Sequence, residues 1–511
     1  MVYQLLEVTG PGLAYICLGG FVVAFSMFSL LMKQKFYINE VVLGTAFGII
    51  MGPHVANVFD PRTWGESPDA ITLEVTRIVL ATGLFAIGVE LPRSYMAKHV
   101  RGLFVMVVPT MALGWVIVAG LVYGLFPRLT FVSCLAIAAC LTPTDPIICA
   151  AIVGGKYAKK NVPLNLRQIL SAESAANDGL AFPFLTISLY LILDPTARQA
   201  VGHWVLVGCL YQVTMGVVIG AILGLIFSYL MKFSHRHGFI DRESYVAQYL
   251  ALAIFTTGVV STIGSDDLLA AFAAGSAISW DGDFNVHTED EVFSSVIDLV
   301  LNCACFIYIG AWLPFTSFDI PSLGISPWRL TVLFLAILAL RRIPAILMLY
   351  RWIPEISTWS EALFSGHFGP MGVGAVFISS LALHTLEKSA SPLNNEEAIL
   401  AACLQPIVAF VVLGSIIIHG LSIPFVSLGK KVHTRTISST LSSKKEPEWV
   451  SSVHRMPPTN TEKTTNNVPA RGDPELPDIP RQQVQSAPTD VMQLTGVEVT
   501  NPKAVHFPGP E

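Results

Sequence analysis

The residues best able to do chemistry in this chain sit where water is expected to be scarce. The segment LTPTDPIICAA, beginning at Leu141, holds Asp145 between Pro143 and Pro146 inside a long apolar stretch. Each proline removes a backbone donor, so the helix should break there and free carbonyls and amides around Thr142, Thr144 and Asp145. Freed backbone oxygens can replace the water around a small cation. A second segment, ILSAESAANDGLAFPFL from Ile169, carries Glu173, Ser174, Asn177 and Asp178. Helical spacing puts Ser174 and Asp178 on one face and Glu173 and Asn177 on the adjacent one. Ionisable groups at membrane depth are costly and usually functional. Desolvation disfavours the charged form of Asp178, so proton and cation would compete for one carboxylate. If that carboxylate crosses between faces only when loaded, the competition is itself an exchange mechanism.

Other polar residues surround this pair of motifs. Arg341 and Arg342 lie in LALRRIPAILMLY, an otherwise apolar stretch. A buried arginine needs a partner, and Glu173 is the obvious one, with Arg342 preferred for the pair and interfacial snorkelling open to the other. GHFGPMGVGA supplies Gly369, Pro370 and Gly372, a second break expected at the depth of the first. Two broken helices that cross would point like-signed dipole ends at each other, and Asp145 is placed to neutralise the positive ones. Asp266 and Asp267 are either a helix cap or a carboxylate pair that draws cations inward. Glu90 either assists the site or sits at the interface; His367 either relays protons or is a buried hydrogen-bonded ring.

The elements that must hold these residues are membrane helices. The chain has 511 residues, of which 53% are hydrophobic and 13% charged, and a mean hydropathy of +0.60. About thirteen apolar spans run between residues 12 and 420, two of them short, in an all-α polytopic membrane domain expected over residues 1–429. The eight cysteines all lie in apolar segments and read as small buried side chains. The amino terminus lacks a basic region, so no cleavable signal peptide is expected. Residues 430–511 are rich in Ser, Thr, Pro and Asn and are expected to be a disordered tail, whose basic start could lie on anionic lipid.

Basic residues cluster after odd-numbered spans, which puts the amino terminus outside and the tail in the cytosol. The acidic loop DGDFNVHTEDE, also expected in the cytosol, is the exception. One common offset aligns NEVVLGTAFG at Asn39 with DDLLAAFAAG at Asp266, and Pro143 with Pro370. Seven spans separate the partners, an odd number, so the halves (12–193 and 245–420, joined by a linker helix at 204–231) form inverted-topology repeats. Gln405 falls opposite Asp178, so only the first repeat carries the carboxylate.

At TPTDP, AESAANDGLAFPF, GSDDLLAAFAAG and GHFGPMGVGA the chain resembles the fungal plasma-membrane sodium/proton antiporters of the cation–proton antiporter superfamily. The resemblance implies the sodium/proton antiporter fold, a homodimer, and an elevator-like motion of a core domain. It implies export of Na+, with Li+ and K+ as further cargo, in exchange for H+, and so roles in salt tolerance and pH homeostasis. It implies that Asp178 binds the ion with Ser174 and the Thr144 backbone, that Asp145 balances the crossed helix ends, and that Glu173 pairs with an arginine. Asp266, Asp267 and His367 are implicated by the fungal branch. The competing reading is a sodium-coupled organic-solute symporter on a related repeat, which would need a roomier polar site. No enzyme motif of the HExxH or paired-aspartate protease type is present, and no cofactor or nucleic-acid partner is expected. Membrane lipid is the expected partner, with regulatory proteins a further possibility at the tail.

Overall fold

The computed structural model describes residues 8–282, Phe284, 293–389 and 394–442. Their regular structure is helical, apart from one isolated bridge between Ile320 and Ile325. The first half comprises α1 (Gly10–Leu30), α2 (Glu40–Met51), α3 (Pro68–Glu90), α4 (Val100–Val107) and α5 (Pro109–Leu125). It continues with α6 (Phe131–Cys140), α7 (Pro146–Val153), α8 (Leu164–Leu180) and α9 (Phe182–Leu193). A π-helical stretch, Trp204–Thr214, leads into α10 (Met215–Arg236). The second half holds α11 (Arg242–Ile263), α12 (Asp267–Ile278), α13 (Phe293–Trp312), α14 (Pro327–Leu340) and α15 (Ile343–Leu349). It ends with α16 (Trp359–His367), α17 (Val373–Ser389) and α18 (Asn395–Ser442).

Among the described residues, nine helical stretches are long and apolar enough to cross a membrane by length and composition. The other four expected spans are the short α2 and α12 and the interrupted pairs α6/α7 and α16/α17. Three further interruptions, between α4 and α5, α8 and α9, and α14 and α15, went unpredicted. Pro109, Pro183 and Pro344 stand in the first two positions of the helices that follow them. A proline there gives up no intrahelical bond, so the chain restarts a helix instead of ending the span.

Two packing groups emerge. In one, α2 lies along α13, and α12 lies between α3 and α10. Glycines allow these backbones to touch: a Cβ added at Gly48 would run into the Ile307 backbone, and one at Gly275 into that of Phe85. In the other group α6 packs on α5 and α9, α7 on α8, and α15 on α16. The groups meet where α17 crosses α3 and α8 crosses α12, and most of the candidate site residues lie near that boundary.

α18 continues to Ser442, past Lys430 where the tail was expected to start. Residues 443–511 of the expected tail lie outside the described residues, as do 285–292, most of the acidic loop. All eight cysteines are unpaired, and only Cys209 is less than fully buried.

Candidate functional site

The two breaks are built alike and touch. α6 ends at Cys140 and α7 restarts at Pro146, with Asp145 as its N-cap accepting from the Ile148 amide at 2.7 Å. α16 ends at His367 and α17 restarts at Val373. The Asp145 amide donates to the Pro370 carbonyl at 2.7 Å, and the other Asp145 oxygen accepts from the Val373 amide. One buried carboxylate therefore caps both half-helix N-termini, where the positive ends of two helix dipoles meet. The reciprocal job falls to Arg341. Its guanidinium donates to the carbonyls of Leu141 (2.6 Å), Thr142 (3.2 Å) and Pro143 (3.3 Å), and also to that of Gly369. It does not snorkel, because its positive charge is held at the two C-terminal ends.

Arg342 faces the other way and grips Glu173 in two parallel bonds of 2.6 and 3.0 Å, with its Nε on the Ser365 carbonyl. Such a planar fork suits a carboxylate better than a point charge does. Asn177 extends the pair. It donates to Glu173 at 2.8 Å and to Thr144 Oγ1 at 2.6 Å, and accepts from the Thr144 amide at 3.0 Å. Its amide is thus a strut between the ion pair and the first break. Thr142 and Ser174 turn their hydroxyls back to the carbonyls of Ala139 and Ser171.

Asp178 differs from all of these. It is 1% exposed, yet neither carboxylate oxygen has a hydrogen-bond partner among the described residues. It lies against the N-terminus of α17, where a Cβ added at Gly374 would sit 2.6 Å from Asp178 Oδ1. Gly372 leaves equivalent room for Asp145. Asp178 lines a cavity of about 480 Å³ together with Glu74, Arg77, Gln212, Asp266, Asp267, Phe377, His384 and Lys388. Asp266 is a helix cap, accepting from the Leu269 amide at 2.9 Å, and it also faces this cavity with its second oxygen unpartnered among the described residues. Asp267 lies 3.4 Å from Arg77. Glu74 and Arg77 were missed in the sequence although two charges in an apolar span were a visible signal.

Two expected residues sit elsewhere. Glu90 lines a separate cavity of about 80 Å³ with Pro146, Ile147 and Asp298. The His367 ring lies edge-to-face against Phe368 and tilted against His419, and among the described residues it is its carbonyl that takes part in the second break. Gln405, the repeat counterpart of Asp178, is a tie: it donates to Asp69 at 2.6 Å and accepts from Arg62 at 3.3 Å.

Comparison with known proteins decides the family. The pattern described as sodium/hydrogen exchanger, transmembrane, matches residues 21–429. This chain belongs to the transmembrane sodium/hydrogen exchanger family. Proteins that it resembles include a probable Na(+)/H(+) antiporter of Schizosaccharomyces pombe, 46% identical over 86% of this chain and 59% of the relative. A second S. pombe Na(+)/H(+) antiporter is 38% identical over 83% of this chain and 92% of its own length. The solved sodium proton antiporter MjNhaP1 of Methanocaldococcus jannaschii, at 17% identity, shares the fold with a TM-score of 0.61, covering 81% of this chain and all of that one. The chain spans about half the length of several relatives it matches. The family is one of transporters rather than enzymes, and the organic-solute symporter reading finds no support in these matches.

The crowded start of α17 makes one test of any role in ion flux simple. Gly374→Ala pushes a methyl into Asp178 and is expected to slow cation-dependent proton flux by on the order of tenfold or more. Gly120→Ala, where nothing lies within 4 Å of the added carbon, is the control. Equal rates for the two variants would show that Asp178 tolerates displacement.

Proposed function

We propose that the protein exchanges Na+, and with it Li+ and K+, for H+ by alternating access, with Asp178 binding cation or proton in turn. The observation that carries this reading is the pair of unpartnered oxygens on Asp178, buried beside two broken helices and open to a cavity. A carboxylate in that setting lacks the hydrogen bonds that would hold it ionised, so it gains most by taking up a cation or a proton. Asp145, Thr144 and Ser174 border the cargo, Na+ among them, from the first break and the α8 face. Asn177, Glu173, Arg341 and Arg342 hold that geometry.

The positive-inside orientation places the amino terminus outside and the carboxyl-terminal segment in the cytosol. On that reading the Asp178 cavity opens outward, along the start of α3. A second cavity of about 490 Å³, lined by Lys33, Glu40, Asp298 and Asn302, opens to the cytosol. The cycle carries Na+ out at the plasma membrane of a homodimer, supporting salt tolerance and pH homeostasis. Asp266 and Asp267 concentrate cations at the outer mouth. The resemblance to fungal antiporters supports the location and the dimer.

Purified protein in proteoliposomes tests the whole reading. An imposed sodium gradient is expected to drive an opposite proton flux without any organic solute. No flux with sodium, lithium or potassium gradients of either direction would end it. A sodium KM that rises as pH falls is the expected signature of two ligands on one carboxylate.

A further inference from the structure

The second break leaves more backbone groups to satisfy than the charged residues can reach. The Phe368 and Gly369 amides bond within the turn to Phe364 and His367, the Gly369 carbonyl is taken by Arg341, and the Pro370 carbonyl by Asp145. The Met371 amide and a lone pair of the His367 carbonyl are both answered by α18. Ser415 Oγ accepts from the Met371 amide at 2.7 Å, and His419 Nε2 lies 3.0 Å from the His367 carbonyl. Ser415 Oγ and His419 Nδ1 are 3.2 Å apart. Ser415 is 0% and His419 1% exposed.

We infer that Ser415 and His419 are positioning residues for exchange, holding the second break in the crossed geometry that seats Val373 on Asp145 and Gly374 against Asp178. The proton placement follows from chemistry. A carbonyl only accepts, so Nε2 carries the hydrogen, and in a neutral ring Nδ1 then has the lone pair. Ser415, whose oxygen already accepts from Met371, donates its own hydrogen to Nδ1. A neutral ring thus completes the chain from Met371 through Ser415 and His419 to His367, with every group used. Charging the ring would turn Nδ1 into a donor and cost the Ser415 bond, leaving only the Ser415 carbonyl, 3.0 Å away, to accept. The charged or titratable groups facing the ring are the His367 imidazole, at 5.4 Å between centroids, and the Arg341 guanidinium on Gly369. Neither is an anion that would favour a second proton. His419 therefore works as a fixed hydrogen-bonding unit and carries no proton across the membrane.

In a nonpolar surrounding an amide or carbonyl without a partner re-forms its local backbone to find one. Loss of this bracket lets the start of α17 shift, and with it both carboxylates. The inference rests on the exchange reading, and wild-type flux in the same vesicles tests that reading separately. His419→Leu and Ser415→Ala are each expected to lower the maximal rate on the order of tenfold and to raise the sodium KM, at normal yield and elution in size-exclusion chromatography. His419→Gln, whose amide can still donate to the His367 carbonyl, is expected to recover most of the rate with an unchanged pH profile. A Gln variant as slow as Leu, or one with a shifted pH profile, would mean that the imidazole itself titrates in the cycle. Wild-type kinetics in both His419→Leu and Ser415→Ala would remove the positioning role.

Discussion

Asp178→Asn is expected to abolish cation-coupled proton flux, by at least about a hundredfold, while leaving the fold at least as stable as wild type. The two halves of that expectation come from the same observation. No described group bonds to the Asp178 carboxylate, so the amide orphans nothing when it replaces it, and a neutral side chain is cheaper than a charged one at this depth. What disappears is the carboxylate that, on the proposed reading, holds a cation and then a proton at the same atom. Asparagine keeps the shape and the fit against Gly374, so a loss of flux cannot be ascribed to a changed cavity. Proteoliposome flux and a thermal melt in detergent, run on the same preparation, read both halves. Undiminished exchange in the variant would overturn the carrier role, whereas a lowered melting temperature would show that the carboxylate has a structural partner.

The second large effect concerns Arg342→Ala. Glu173 is 1% exposed and its two oxygens take both arms of the Arg342 fork. Removing the arginine strands a buried carboxylate, a change that costs about 3–5 kcal/mol in buried pairs of this kind. The damage would spread, because Asn177 joins Glu173 to Thr144 and so to the first break. Glu173→Gln combined with Arg342→Met removes both charges and is expected to recover much of the lost stability, since neither is then unpaired. Melting curves of the single and double variants decide the matter: a single variant that melts like wild type would mean the pair holds nothing together. A double variant that is stable yet transports poorly would separate folding from the alignment of Thr144.

Much of the architecture was readable in advance because membrane constraints write themselves into composition. Hydrocarbon allows long apolar runs and little else, so each polar interruption carries information. Pro143 and Pro146 around an aspartate announced the first break, and Gly369, Pro370 and Gly372 the second. The common offset that aligns Pro143 with Pro370 announced the repeat. The interruptions before Pro109, Pro183 and Pro344 were less legible, since a proline at a helix start leaves the local apolar pattern unchanged. Arg341 and Arg342 show the limit most clearly. They are identical neighbours in one apolar segment, so the sequence supported only a slight preference for Arg342 as the partner of Glu173 and did not place Arg341 on the carbonyls. Side-chain direction around a helix interruption decides it, and that depends on the packing of α5, α8 and α16.

By itself the sequence determined that this chain fills a bilayer with helices, that two of them break, and that a carboxylate sits deep beside the break, because each of those facts is local in the chain. Tertiary structure decided what the polar groups do. It set Asn177 as a strut, Gln405 as a tie and Arg341 as a cap on two C-termini, and it gave Met371 and His367 their partners in Ser415 and His419. It also left Asp178 as the one buried carboxylate with neither oxygen bonded among the described residues. Those roles depend on which helices cross, and the crossing joins residues some two hundred positions apart, such as Asp145 to Val373 and Leu141 to Arg341. A hydrogen bond spanning that distance leaves no periodic trace in the chain, because its two ends are selected for geometry rather than for pattern.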